Sequence, residues 1–439
     1  MRTSRKLKTR KARHRVIGTA SCIGVLLFGS GLFPGGLAVL SLEQAVSEAL
    51  AENPGLAALK ARAEALAQVA PQQQTLPDPH LRLRLANLPT DTFSLSQEPM
   101  TQAQLSLSQT LPYPGKLELR ERVAAFDGEA GMEQFQEGRV VLIRDVKTGW
   151  WNLFYLDRAL EINDRNQDLL RQFLKIAESK YEVGSGLQQD VLLAQLELSK
   201  LVDARIVLVN ARHNEQARLN ALLNRNAEEL VALPSSVASG ERHPALQEAL
   251  VAKALAERPL LRSRRRRLGA AELRVSLARK DYRPDFTIGG GYGYRDGVNQ
   301  EGSDRADFVS LVVGINLPYF TRKRQDAALA QRLQEKLQHE RTLADEQRRV
   351  EAAVSNALAD YRRAEEQVRL FDSGILPQAR QTVNSMLAGY QVNKVDFLNL
   401  VSAETSLYNY EALYWMAVSR VNQALARLVA AVGTENIDE

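Results

Sequence analysis

Four short stretches of this chain alternate apolar and polar residues with a period of two. Leu81, Leu83 and Leu85 interleave with His80, Arg82 and Arg84, and Ala103, Leu105 and Leu107 with Gln102, Gln104, Ser106 and Ser108. Phe286, Ile288, Gly290, Tyr292 and Tyr294 interleave with Thr287, Gly289, Gly291 and Gly293. Val309, Leu311, Val313, Ile315 and Leu317 interleave with Ser310, Val312, Gly314 and Asn316. Such alternation predicts strands with one apolar and one polar face. Each is about ten residues long, enough for a tilted strand to cross a bilayer. Any one alone would suit a soluble sheet. Four of one length, joined in pairs by polar, turn-rich loops at 89–100 and 295–305, favour a membrane.

Nearly everything else carries helical periodicity. No proline occurs between Pro114 and Pro234, and the pattern over 116–180 predicts one helix roughly 100 Å long. Val354, Ala357, Tyr361, Ala364, Val368, Phe371 and Ile375 keep heptad spacing, and Val146, Leu153 and Leu160 keep the seven-residue step, so these helices should pack as coiled coils. Pro377 should kink the second long helix. Gly184-Ser185-Gly186 and Asn393-Lys394 end the two long helices, and return helices follow.

The order of elements is stated twice. Asn53-Pro54 answers to Arg258-Pro259, Leu111-Pro112-Tyr113 to Leu317-Pro318-Tyr319, and Tyr181-Glu182-Val183-Gly184 to Tyr390-Gln391-Val392-Asn393. A repeat this long is a duplicated half-structure rather than a solenoid unit. The fold class expected is mainly α with a small β part. The first repeat spans 39–225, with strands at about 80–88 and 102–111 and a helical hairpin at 116–223. A connector over 226–257, packing on the outside, leads to the second repeat at 258–439, with strands at about 285–295 and 307–317 and a hairpin at 322–432.

Charge changes the picture only after the first segment is set aside. Residues 1–38 carry eight basic side chains, no acid, an apolar stretch and small residues ending at Ala38, as a cleaved signal peptide does; an uncleaved membrane anchor is the other reading. Removing those eight from 57 basic residues leaves 49 against 52 acids, so the body is mildly acidic and offers no nucleic-acid partner. Ser41 and Gln44 form a capping-box pattern at the first helix after it. Cys22, the single cysteine, lies in this segment; the residues before it suit a lipidation site poorly, and no disulfide framework exists.

Four strands cannot close a barrel, and an open strand edge in lipid leaves costly unpaired N–H and C=O groups. The chain must therefore assemble, and three copies would give twelve strands. Asn53-Pro54, Leu111-Pro112-Tyr113-Pro114-Gly115-Lys116, Tyr181 and Gly184 with Gln188-Gln189-Asp190-Val191-Leu192, Leu219-Asn220-Ala221-Leu222-Leu223, and Tyr390 and Val392 with Val395-Asp396-Phe397-Leu398 resemble the TolC-like outer-membrane efflux family, most closely its heavy-metal branch. The resemblance covers nearly all of 41–432. It implies a homotrimer with a twelve-stranded transmembrane barrel, a coiled-coil α-helical barrel in the periplasm and an equatorial domain. It further implies outer-membrane lipid around the barrel and, as partners, a periplasmic adaptor and an inner-membrane pump of the resistance-nodulation-division type.

On that resemblance the hairpin turns meet the adaptor, and the candidates are Tyr181, Gly184, Gly186, Asp190, Tyr390, Asn393 and Lys394. Gly184 and Gly186 should supply left-handed backbone at a plain helix–helix turn as well. Asp396 and Asn399 lie one turn apart and would face the lumen as a gate; Asp396 also suits an N-cap. Pro112, Pro114 and Pro318 mark strand-to-helix transitions. The basic run Arg262 and Arg264–Arg267 reads as a solvated face or a phospholipid contact.

No cofactor or metal is expected, because the five histidines are scattered without ligand spacing. Gly289–Gly293 lacks the Gly-Lys-Ser/Thr ending of a phosphate loop, and no catalytic constellation argues for an enzyme. The function expected is a passive exit duct for heavy-metal cations or small toxic compounds. A type I protein-secretion duct and a secreted coiled-coil structural protein are the alternatives.

Overall fold

The computed structural model describes residues 39–237, 243–434 and 437–438. The signal segment 1–38 and Cys22 lie outside the described residues. Three short helices come first: α1 (Leu42–Glu52), α2 (Pro54–Ala67) and α3 (Val69–Gln74). The hairpin β1 (His80–Ala86) and β2 (Gln102–Leu111) leads into α4 (Lys116–Glu182), which returns as α5 (Gln188–Leu222). Then follow α6 (Gln247–Glu257), α7 (Pro259–Lys280), the hairpin β3 (Phe286–Tyr294) and β4 (Phe308–Ile315), α8 (Gln325–Leu370), α9 (Leu376–Gln391) and α10 (Phe397–Val432). The capping box at Ser41 and Gln44 is formed, with reciprocal bonds of 3.2 and 3.0 Å.

The four strands make one antiparallel sheet in the order β1-β2-β3-β4, with β1 and β4 as edges. Cross-strand partners keep the two faces separate. Leu83 opposes Leu105, Leu105 opposes Tyr292, and Tyr292 opposes Val309, all on one face. That face is bare: Leu83 is 74% exposed, Leu311 88% and Val313 77%. The other face carries Arg82, Arg84, Gln104, Ser106, Ser108, Thr287 and the β3 glycines Gly289, Gly291 and Gly293. A Cβ on Gly289 would lie 3.0 Å from the Leu107 carbonyl oxygen and the Ser108 Cβ, so the glycine run serves close strand packing.

β1 is shorter than its alternation suggests. Asn87 adopts φ 56°, and its side chain and carbonyl bond to Met100 and Thr101, which closes the strand into the loop. β4 ends before its apolar pattern does, because Asn316 turns back to bond Asp285 and Pro318 follows.

α4 is a single helix of 67 residues, about 100 Å by helical rise. Pro377 does not break the second long helix. A five-residue π turn, Phe371–Ile375, stands just upstream and loosens the ladder where the proline lacks an N–H. Its extra residue shifts the heptad phase. The seam runs through the buried Val354, Ala357, Tyr361 and Ala364, then resumes at Leu376, Val383 and Tyr390 instead of continuing through Ile375.

One core cluster gathers Trp150, Trp151 and Phe154 of α4 with α1, Leu219, Val231 and Val418, and the Trp150 indole N–H bonds the Leu40 carbonyl at 3.0 Å. A second joins α6, α8 and the end of α10 through Leu250, Leu358 and Leu428. A third, towards the hairpin turns, holds Leu170, Phe173, Tyr390, Phe397 and Leu400. The basic run of α7 is a partly solvated face, with Arg262, Arg265 and Arg266 exposed, and it also makes ion pairs within the chain: Arg262 and Arg266 with Glu133 and Glu129 of α4, and Arg264 with Glu346 of α8.

Candidate functional site

The two hairpin turns are built alike and stand together. At the end of α4 the amides of Ser185 and Gly186 both donate to the Lys180 carbonyl at 2.9 Å, and Gly184 takes φ 75° with open space beside it. At the end of α9 the Lys394 amide donates to the Gly389 carbonyl at 2.9 Å, and Asn393 takes the left-handed position at φ 58°. Gly186 is not left-handed, contrary to the expectation. It is needed for room, since a Cβ there would lie 2.9 Å from the Lys180 Cβ and 3.0 Å from the Tyr181 nitrogen.

Lys180, which sequence reasoning did not single out, joins the turns. Its ammonium donates to the Tyr390 carbonyl and to Asn393 Oδ1, each at 2.6 Å, and lies 4.2 Å from the centre of the Tyr390 ring. The available signal was an asymmetry between the repeats: Lys180 occupies the position where the second repeat has Gly389.

The two corresponding tyrosines differ. Tyr181 is half exposed, whereas Tyr390 is 5% exposed, its ring 5.1 Å from Phe397. Tyr390 is thus a buried packing residue rather than a surface contact, and its hydroxyl is buried without a hydrogen-bond partner. Burial, then the Asp190 charge, raises its pKa. Gly184, Asn393 and Lys394 remain on the surface.

Asp190, half-buried at the first turn of α5, has its carboxyl pushed above the ordinary range. Burial is the main cause, and the Asp396 charge adds to it; a hydrogen bond from the Leu187 backbone and the Lys180 charge oppose the rise. Asp396 stands at the N-cap of α10 in extended geometry, but its side chain makes no cap hydrogen bond, so the capping expectation fails. Its carboxylate is exposed, as is Asn399 one turn on. The turns therefore bring Asp190, Asp396 and Lys180 near each other, one acid from each repeat. Pro112 and Pro114 lie between Leu111 and Lys116, and Pro318 between β4 and α8.

Above the turns, α4 and α10 enclose a polar layer: Asn163, Asn166, Gln167, Glu404 and Glu411 are all buried. Glu411 accepts from Arg165 of α4 and, at 3.0 Å, from Arg380 of α9. Glu404 keeps one carboxyl oxygen without a partner, and its pKa is pushed up to about 7 by burial and the Glu411 charge against Arg165. Among the described residues no three His, Cys, Asp or Glu cluster as metal ligands, and no helix is long and apolar enough to cross a membrane.

Comparison with known proteins fits this arrangement. The sequence profile described as "Outer membrane efflux protein" matches residues 45–225 and 250–434, one block for each repeat. The outer membrane protein TolC of Vibrio cholerae is 21% identical over 305 residues, 65% of this chain and 68% of that protein. The cobalt-zinc-cadmium resistance protein CzcC of Cupriavidus metallidurans is 21% identical over 400 residues, 90% of each. The solved structure of CusC superposes with a TM-score of 0.76 at 17% identity, covering 92% of this chain and 96% of that one. With both repeats matched on a two-faced sheet that continues into long helical hairpins, the chain belongs to the outer membrane efflux protein family and is a channel of the outer membrane rather than an enzyme.

Proposed function

We propose that this protein is the passive exit duct of a tripartite efflux system, working as a homotrimer whose three sheets close one twelve-stranded barrel. The observation that carries the reading is the sheet: one continuous apolar face is exposed across all four strands, and both edges are open. In lipid an unpaired edge costs several kcal/mol per backbone group, so a lone sheet is not viable and further copies must supply the missing neighbours. The helices support the same reading. α5 packs along α4 and leaves Leu192, Leu196, Val202, Ile206 and Val209 exposed along one side, a stripe suited to another helix of the tube.

The family forms the outer-membrane component of tripartite systems, which implies an adaptor and an inner-membrane pump. A pump of the resistance-nodulation-division type is the partner proposed. The adaptor docks on the hairpin turns around Tyr181, Gly184, Asp190, Asn393 and Lys394, and Asp396 and Asn399 line the gate. Energy and cargo choice belong to the partners. The likeness to CzcC over 90% of both chains supports heavy-metal cations as cargo, with small toxic compounds as the second reading.

Fractionation tests the class directly. The expected result is a heat-modifiable trimer in outer-membrane fractions, and a deletion strain that accumulates cobalt, zinc or cadmium. Recovery as a soluble monomer would sink the duct; normal metal content with increased sensitivity to organic toxicants would replace the cargo.

A further inference from the structure

The two repeats correspond in sequence but differ in surroundings at the strand-to-helix junction. After β2, Lys116 is buried; its ammonium lies 2.9 Å from Asp285 Oδ1, the residue just before β3, which also accepts from the Tyr113 backbone amide at 2.8 Å. After β4, the corresponding Leu317 and Tyr319 are 76% and 84% exposed, and Arg322, which answers to Lys116, is exposed too. The residue answering to Asp285 is Asp78, just before β1 at the opposite edge of the sheet, and it is also exposed.

The strand register fixes how these edges meet. Leu81 opposes Leu107 in the first hairpin, and Ile288 opposes Val313 in the second. The first hairpin therefore maps onto the second by 207 positions for β1 and 206 for β2. The β2–β3 contact, in which Leu105 opposes Tyr292, is the only kind of inter-hairpin contact this chain contains among its described strands. Moving Leu105 forward by one repeat gives Leu311, and moving Tyr292 back gives Leu85.

We infer that β4 of one copy pairs antiparallel with β1 of the next in a single register, Leu311 opposite Leu85 and Val312 opposite Arg84, locked by an ion pair between Arg322 and Asp78 across the copies. This rests on the closed-barrel reading above and specifies its seam. Leu311, Val313 and Ile315 then meet Leu85, Leu83 and Leu81, so the apolar face continues unbroken around the barrel. A slip of one residue would bring Arg82 and Arg84 opposite the apolar row and is excluded by the face pattern. A slip of two keeps the faces but separates Asp78 from Arg322, so the ion pair decides between registers that hydrophobicity leaves equal.

Paired cysteines test this in a Cys22→Ser background. Val312→Cys with Arg84→Cys should form disulfides between copies in outer membranes, giving linked dimers and trimers on non-reducing gels; Gly314→Cys with Arg84→Cys, set for a slip of two, should lag far behind. Within one chain the two sites are three strand spacings apart, about 14 Å, too far for a bond. Asp78→Arg should lower trimer recovery, and adding Arg322→Asp should restore it. Preferred linkage of the Gly314 pair, or trimers that link through neither pair, overturns the register while leaving the channel intact. A chemically cross-linked population that stays monomeric overturns the oligomeric reading itself.

Discussion

The ammonium of Lys180 and the backbone carbonyl of Tyr390 lie 2.6 Å apart, and through that bond the hairpin of one repeat holds the turn of the other. The same ammonium bonds Asn393 Oδ1, so a residue in left-handed backbone is fixed by a partner from the opposite repeat. A hydrogen bond to a charged group contributes about 1.5–3 kcal/mol, less where solvent screens it. Lys180→Met should cost the turn up to about 2 kcal/mol on that scale and free α9 from α4 locally. Faster amide exchange confined to residues 385–400 and larger or noisier conductance in planar bilayers are the expected results. Exchange identical to the parent protein would show that the bond is idle.

The acids at the turns make the same region sensitive to pH. The Asp190 carboxyl is raised in the folded protein, mainly by burial and further by Asp396. A raised carboxylate contributes stability below its unfolded pKa and loses it as pH climbs through the folded value. The turns should therefore be tightest in mild acid and loosen on ionisation of Asp190, where Asp396 repels it. Asp190→Asn should flatten the conductance profile as pH climbs above the ordinary carboxylate range. Asp396→Ala should lower cation selectivity, and it removes no cap hydrogen bond because the side chain makes none. A cation preference unaffected by Asp396→Ala would remove it from the gate.

Glu404 offers a stability test away from the turns. Burial and Glu411 lift its pKa to about 7, against Arg165. Its contribution is complete below the ordinary glutamate range and is lost as pH rises through about 7. The cost at pH 8 is of order 3 kcal/mol. Glu404→Gln keeps the shape and removes the charge, so it should raise the melting temperature at pH 8 and leave it nearly unchanged at about pH 4. Equal melting curves at both pH values would mean the carboxylate finds water or a partner on ionising.

Some features of the fold are encoded in local residue patterns and others only in contacts distant along the chain. The strand faces and the heptad seam were legible because alternation and seven-residue spacing depend on local residues alone, as at Leu81, Leu83 and Leu85. The seam change at the π turn was not legible: Ile375 satisfies the heptad, and only packing reveals that Leu376 takes its place. Tyr390 and Tyr181 sit in matching words, yet one is buried and one exposed, because the second turn folds Phe397 over its tyrosine. Asp396 has the right residue type for a cap, but its side chain does not reach the backbone. Lys180 was hidden because its partners are about 210 residues away in sequence and belong to the other repeat.

The polar face of the sheet bears on what the duct passes. Among its strand positions Arg82 and Arg84 are the fixed charges, and the others on that face are uncharged apart from His80. If three copies close around a lumen, six guanidinium groups from this one strand form two stacked cationic rings, and charged rings set the ion preference of a wide pore. If Asp396 lines the gate as proposed, its carboxylates favour cations at the periplasmic end, and the barrel and the gate then pull in opposite directions. Arg82→Gln with Arg84→Gln should move the reversal potential under a salt gradient towards stronger cation selectivity, and the shift should persist when Asp396 is replaced by Ala. It should shrink at high ionic strength, where the screening length falls to about 3 Å at 1 M salt. A reversal potential unmoved by the double replacement would place these arginines out of reach of the permeating ions, and the polar face would then not line the conducting path.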